Sequence, residues 1–139
     1  MLYPKEVIEK TCAWMEGDTI AKQWLQDNKH EEMVQLKDAV SRHSKAFEYL
    51  LVHKHLLLAT CVNAIWDDKK AFKLLIDKKE FVWAAVANYI NGDDNAAVFL
   101  RKNNLQHYAE LAHKIQAKIR REGDEGTNFF GGGPFKIQK

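Results

Sequence analysis

Six histidines and several adjacent carboxylates are the side chains of this sequence best suited to chemistry, as metal ligands or acid–base groups. His53 and His55 form an H-x-H pair, His30 and His43 stand apart, and His107 and His113 share one stretch. Ligand pairs on a helix sit three or four residues apart, so His107 and His113, six apart, fall near opposite faces. No cysteine or carboxylate cluster accompanies them. Carboxylates pair at Glu31-Glu32, Asp67-Asp68 and Asp93-Asp94. Acid–base work requires a carboxyl of raised pKa beside a nucleophile or a second base, and the sequence offers no such partner. Dinucleotide, phosphate-loop, G-x-S-x-G and H-E-x-x-H patterns are absent, and Gly131 to Gly133 follows no predicted strand. The expectation is a non-catalytic chain with no cofactor and no metal site.

The elements that hold these residues repeat every 25 positions. Ala21, Ala46, Ala71 and Ala96 share one column, and Leu25, Leu50, Leu75 and Leu100 another. Trp24, Tyr49, Leu74 and Phe99 fill the column between them. Met33, Leu58, Trp83 and Tyr108 continue the frame, as do Leu36, Cys61, Val86 and Leu111. A fixed period of this length marks stacked units rather than one irregular core.

Each unit reads as helix, turn, helix. Apolar residues at i, i+3, i+4 form a short first piece, such as Ala21, Trp24 and Leu25. Polar hinges follow at Asn28-Lys29, His53-Lys54, Lys78-Lys79 and Asn103-Asn104, then a second apolar stripe. Asp18-Thr19, Ser44, Asp68 and Asp94 stand where side-chain oxygens could cap the first helix. Asn91-Gly92 suits a left-handed helix end. Pro4 to Met15 reads as one further helix, with Ile8 in register with Met33 and Met15 with Val40. No segment alternates with period two, so strands are not expected. The predicted fold is all-α: a right-handed α-α superhelix of four such units near 18–42, 43–67, 68–92 and 93–117, plus the N-terminal helix. Residues 1–121 form one domain and 122–139 a Gly/Phe-rich tail. A closed bundle of the same helices is the alternative.

The middle units carry Leu56-Leu57 and Phe81-Val82 where the outer ones carry Glu31-Glu32 and Gln106-His107. Polar end units stop further stacking, so the second and third units are expected to be the buried middle of an array complete at four. The apolar columns are expected to make the core.

Composition agrees with a folded single domain. The 139 residues are 46% hydrophobic and 29% charged, with net charge +2, so the total demands no polyanion partner. Cys12 and Cys61 read as buried free thiols, the start lacks the apolar run of a signal peptide, and no stretch is long enough to span a bilayer. A cytoplasmic setting without membrane contact is the expectation.

Distribution of charge says more than its sum. Lys29, Lys54, Lys78, Lys79, Arg101 and Lys102 sit at the hinges, while Asp18, Asp67, Asp68, Asp93 and Asp94 sit between units. These turn classes emerge on opposite edges, giving a basic ridge and an acidic ridge. Lys114, Lys118, Arg120 and Arg121 extend the basic character along the last helix. Phe129, Phe130 and Phe135 on a Gly/Pro spacer form a candidate docking tail, which could also mediate self-association. The candidate partner-binding residues are Lys54, Lys78, Lys79, Arg101, Lys102, Phe129, Phe130 and Phe135. A protein partner is the primary expectation, with nucleic acid or another acidic partner on the basic ridge as the alternative.

The A-x-x-(W/Y/L/F)-L columns within four stacked helix–turn–helix units resemble the α-solenoid superfamily of ankyrin-like, HEAT-like and tetratricopeptide-like proteins. The resemblance spans Asp18 to Ala117, although the ankyrin T-P-L-H and tetratricopeptide W-x-x-L-G patterns are absent. It implies a stacked fold used as an interaction surface.

Overall fold

The computed structural model describes residues 2–125. Among these, nine helices and no strand occur: α1 Lys5–Met15, α2 Thr19–Asp27, α3 Glu31–Ala39, α4 Ser44–Val52, α5 Leu56–Ile65, α6 Lys69–Asp77, α7 Phe81–Ile90, α8 Asp94–Lys102 and α9 Gln106–Glu125. The all-α class and the extra N-terminal helix agree with the periodicity. Helix α9 runs past residue 121 to Glu125, because Glu122 is held on its side by partners described below. Phe129, Phe130 and Phe135 lie outside the described residues.

All eight turns between helices share one device. The positive-φ residues are Gly17, Arg42, Asp67 and Gly92 in one series and Lys29, Lys54, Lys79 and Asn104 in the other, each spaced by 25. After each, the next N–H reaches back to the last helical turn. His30, His55, Glu80 and Leu105 bond to Leu25, Leu50, Leu75 and Leu100 at 2.8 Å. Asp18, His43, Asp68 and Asp93 bond to Ala13, Asp38, Asn63 and Asn88 at 3.0–3.1 Å. These are Schellman-type helix ends, which satisfy the terminal carbonyls.

The turn length also fixes the cap column. Asp18, Asp68 and Asp93 accept from the first-turn N–H groups of α2, α6 and α8. Ser44 and Asp94, expected as caps, are instead the first helical residues, and the cap position before α4 belongs to His43. The reason is that each turn consumes the same number of residues, which puts the cap at 18, 43, 68 and 93.

Left-handed geometry at an L-residue costs about 1–2 kcal/mol, whereas glycine adds about 0.4–1 kcal/mol of unfolded-state entropy. Lys29→Gly, Lys54→Gly and Lys79→Gly should therefore each raise stability, by roughly 0.5 kcal/mol. Gly92→Ala, at φ +107°, should lower it by about 1 kcal/mol. Urea midpoints decide the matter, and lysine variants less stable than the parent would refute the strain argument.

Consecutive helices pack in neighbouring pairs, and α2, α4, α6 and α8 each touch only the helices on either side of them in sequence among the main contacts. The odd-numbered helices also pack on one another: α1 on α3, α5 on α7, α7 on α9, and α9 back on α1. First and last helices therefore meet, and α3 is joined to α5 mainly through α4. Met33, Leu58, Trp83 and Tyr108 are 0–1% exposed, and the Leu25 and Leu36 columns are equally buried. Trp83 stands edge-on between Tyr3 and Tyr108, at ring distances of 6.2 and 5.4 Å.

Three expectations about burial are overturned. Glu32, assigned to a solvated outer unit, is 7% exposed, because Tyr3 folds over it and its hydroxyl donates to the carboxylate at 2.9 Å. Leu56 and Phe81, assigned to a buried middle, are 57% and 48% exposed. The Trp24 column is likewise not core throughout, since Leu74 and Phe99 are each 42% exposed. The first residues of α5 and α7 and the outer side of the last turns of α6 and α8 lie at the hinge edge, where no further layer covers them, while Leu75 and Leu100 on the inner side of those turns are buried.

Candidate interaction surface

The hinge edge gathers most of the features that could act. Lys54, Lys78, Lys79, Arg101 and Lys102 are all exposed there, at the ends of α4, α6 and α8. Among the described residues none of these five is ion-paired, whereas Lys73, Lys114 and Lys118 each hold a carboxylate. The structure thus brings the sequence-predicted cations to one edge and leaves their charge unneutralised.

Between these cations lies apolar surface. Leu56, Leu57 and Thr60 of α5, Leu74 and Leu75 of α6, and Lys78 and Glu80 of the turn after α6 line a groove of about 270 Å³. One repeat further on, Phe81 occupies the column of Leu56 and Phe99 the column of Leu74. Large half-exposed apolar side chains in register on adjacent units form a strip, and such strips mark interaction sites on soluble domains. Sequence reasoning assigned these residues to the core. The available signal was the absence of any unit that could cover the first turns of α5 and α7.

The last helix contributes less basic surface than its sequence suggests. The Lys114 ammonium bonds to Glu16 at 2.7 Å and lies 3.4 Å from Glu110. Lys118, 4% exposed, donates to Ser41 Oγ and to Glu122 at 2.7 Å. Ser41 Oγ in turn donates to Glu122 at 2.6 Å. Both lysines are drawn into the seam that α9 makes with α1 and with the turn after α3. Burial pushes the Glu122 carboxyl up, but the bonds from Lys118 and Ser41 outweigh it and hold it below its ordinary value. A cavity of about 400 Å³ opens beside this cluster, lined by Arg42, His43, Trp66 and Ile119, with the Arg42 guanidinium 4.2 Å above the Trp66 ring. A serine beside a lysine suggests a nucleophile–base pair, but the Lys118 ammonium and the Ser41 hydroxyl are both already bonded to the Glu122 carboxylate.

The remaining titratable residues are dispersed. His53 stacks on Tyr49 at 3.9 Å and His55 stands before α5, so the H-x-H pair is organised by an aromatic ring. His113 lies 3.3 Å from the Tyr89 hydroxyl, and burial with the nearby Lys5 holds His107 below its ordinary pKa. Among the described residues no group of three or more His, Cys, Asp or Glu side chains is placed to hold a metal ion. Cys12 and Cys61 are buried free thiols whose pKa burial pushes up to about 12, which keeps them protonated. Asp18, Asp68 and Asp93 of the acidic edge serve as helix caps. No helix among the described residues is long and apolar enough to cross a membrane.

Set against known proteins, the chain matches no family model, no curated protein and no solved structure.

Proposed function

We propose that this chain is a non-catalytic protein–protein interaction module, a compact relative in architecture of the α-solenoids, with a right-handed course of its units. The working surface is the hinge edge. The observation that carries this reading is the exposed strip of Leu56, Leu74, Phe81 and Phe99, in register on consecutive units. Leaving such side chains in water forgoes burial worth about 25 cal/mol per Å², which a partner would recover. Phe129, Phe130 and Phe135 supply an auxiliary contact or self-association in this reading, and the buried free thiols suit a reducing, cytoplasmic-type compartment. A second reading, nucleic-acid or other acidic-partner binding, draws on the unneutralised cations Lys54, Lys78, Lys79, Arg101 and Lys102.

Cross-linking capture in the native host tests the module. The full chain should recover one or more protein partners that a Leu74→Glu, Phe99→Glu variant of equal stability does not. Recovery of the same proteins by both would refute the assignment of the surface.

A further inference from the structure

We infer that the occupant of the hinge-edge strip is an acidic amphipathic helix lying across α5 to α8, with large apolar anchors seven residues apart. This inference deepens the module reading and rests on it. The strip has two equivalent stations, Leu56 with Leu74 and Phe81 with Phe99, separated by one repeat. Helices α5 and α7, which carry the two stations, pack directly on each other. Packed helices lie about 8–10 Å apart. Seven residues of a partner helix span about 10.5 Å, so anchors at i and i+7 reach both stations from one face.

Charge selects the sign of the partner. Lys54 and Lys78 flank the first station, Lys79 stands between the two, and Arg101 and Lys102 follow Phe99. The nearby Asp77 is engaged by Lys73 at 2.8 Å, which leaves the rim cationic apart from Glu80. A helix with glutamates flanking its apolar anchors complements this pattern, and a basic helix is repelled. The apolar stations disfavour a phosphate backbone as occupant, because its contacts would leave all four large side chains in water.

The test uses the full chain and a fluorescently labelled synthetic peptide of about 18 residues, or about 27 Å as a helix. Leucines stand at i and i+7, with glutamates on the flanking positions. Saturable binding by anisotropy is expected. Phe81→Glu should weaken it at least tenfold, and so should moving the second leucine to i+9. Lys78→Glu with Lys79→Glu should weaken it severalfold and flatten its salt dependence. All three side chains are exposed, so unchanged circular dichroism and melting confirm that the variants fold. Equal binding of a peptide with lysine in place of glutamate would overturn the inference. So would displacement at lower concentration by a peptide of residues 126–139 or by a single-stranded oligonucleotide. Failure of the acidic peptide while host capture still depends on Leu74 and Phe99 removes the inference and leaves the module intact. Capture that ignores the strip removes the module itself.

Discussion

Trp83→Ala should destabilise the protein by about 3–5 kcal/mol, the range found for truncating a large buried aromatic. Trp83 is 1% exposed and its ring is met edge-on by Tyr3 from the N-terminal segment and by Tyr108 from α9. Edge-to-face pairs add about 0.5–1.5 kcal/mol beyond burial, so the loss should fall in the upper part of that range. The substitution opens a cavity where three distant parts of the chain converge, and the surrounding helices have little freedom to collapse into it. At about 3 °C per kcal/mol for a chain of this size, melting should fall by roughly 10–15 °C. Leu74→Ala, on the exposed strip, should shift it by no more than a degree or two on the same scale. Similar losses at both positions in calorimetry would contradict the described core.

The second large effect concerns the ion pair that closes the seam. Glu122→Gln should cost about 1–2 kcal/mol at neutral pH. Removing one partner of a fully buried pair costs about 3–5 kcal/mol, but the Glu122 side chain is 43% exposed and solvent offsets part of that. What remains is the Lys118 ammonium, 5% exposed, facing Ser41 and a neutral amide. The wild type should also lose this contribution in acid. A carboxyl held below its ordinary value stabilises the fold above that value, near 4.5, and ceases to do so as pH falls through the lower folded one. The Gln variant should show a flatter decline over that window in urea titrations from pH 6 to about pH 2.5. Lys118→Met in the Gln background should restore part of the loss by removing the stranded charge. An acid profile identical in both proteins would show that the pair does not contribute.

Much of this fold was legible in the sequence because it is local and repeated. Columns such as Ala21 to Ala96 and Leu25 to Leu100 state which side of each helix is buried, and the hinges fall where the helices end. The packing of α9 on the N-terminal segment and on the turn after α3 left no such signature, since it joins Tyr3 to Tyr108 and Ser41 to Glu122 across most of the chain. Turn geometry was legible at Asn91-Gly92 but hidden at most other turns, because the two left-handed columns hold lysine, arginine, aspartate and asparagine as well as glycine. Cross-repeat bonding was hidden for the same reason. Trp66 donates to Val40, Asn91 to Ala64, and Gln116 to Tyr89 and Ile90, from one column in which no two side chains are alike. The cations of the candidate surface were legible from their spacing. Its apolar half was misplaced, because Leu56 and Phe81 have the composition of a core and lie at an edge that nothing covers.

The packing of α1 on α9 bears on how this protein can come apart and how it can grow. A linear array of repeats frays from its outer units, each held by one neighbour, and can lengthen by duplicating a unit. Here the outermost helices are each other's neighbours, so neither is an end at which unravelling can begin. Loss of any one unit breaks the circuit for all, which favours a single all-or-none transition. A fifth unit would have to force open the seam of Tyr3, Tyr108, Lys114 and Lys118, so this architecture sets its own size.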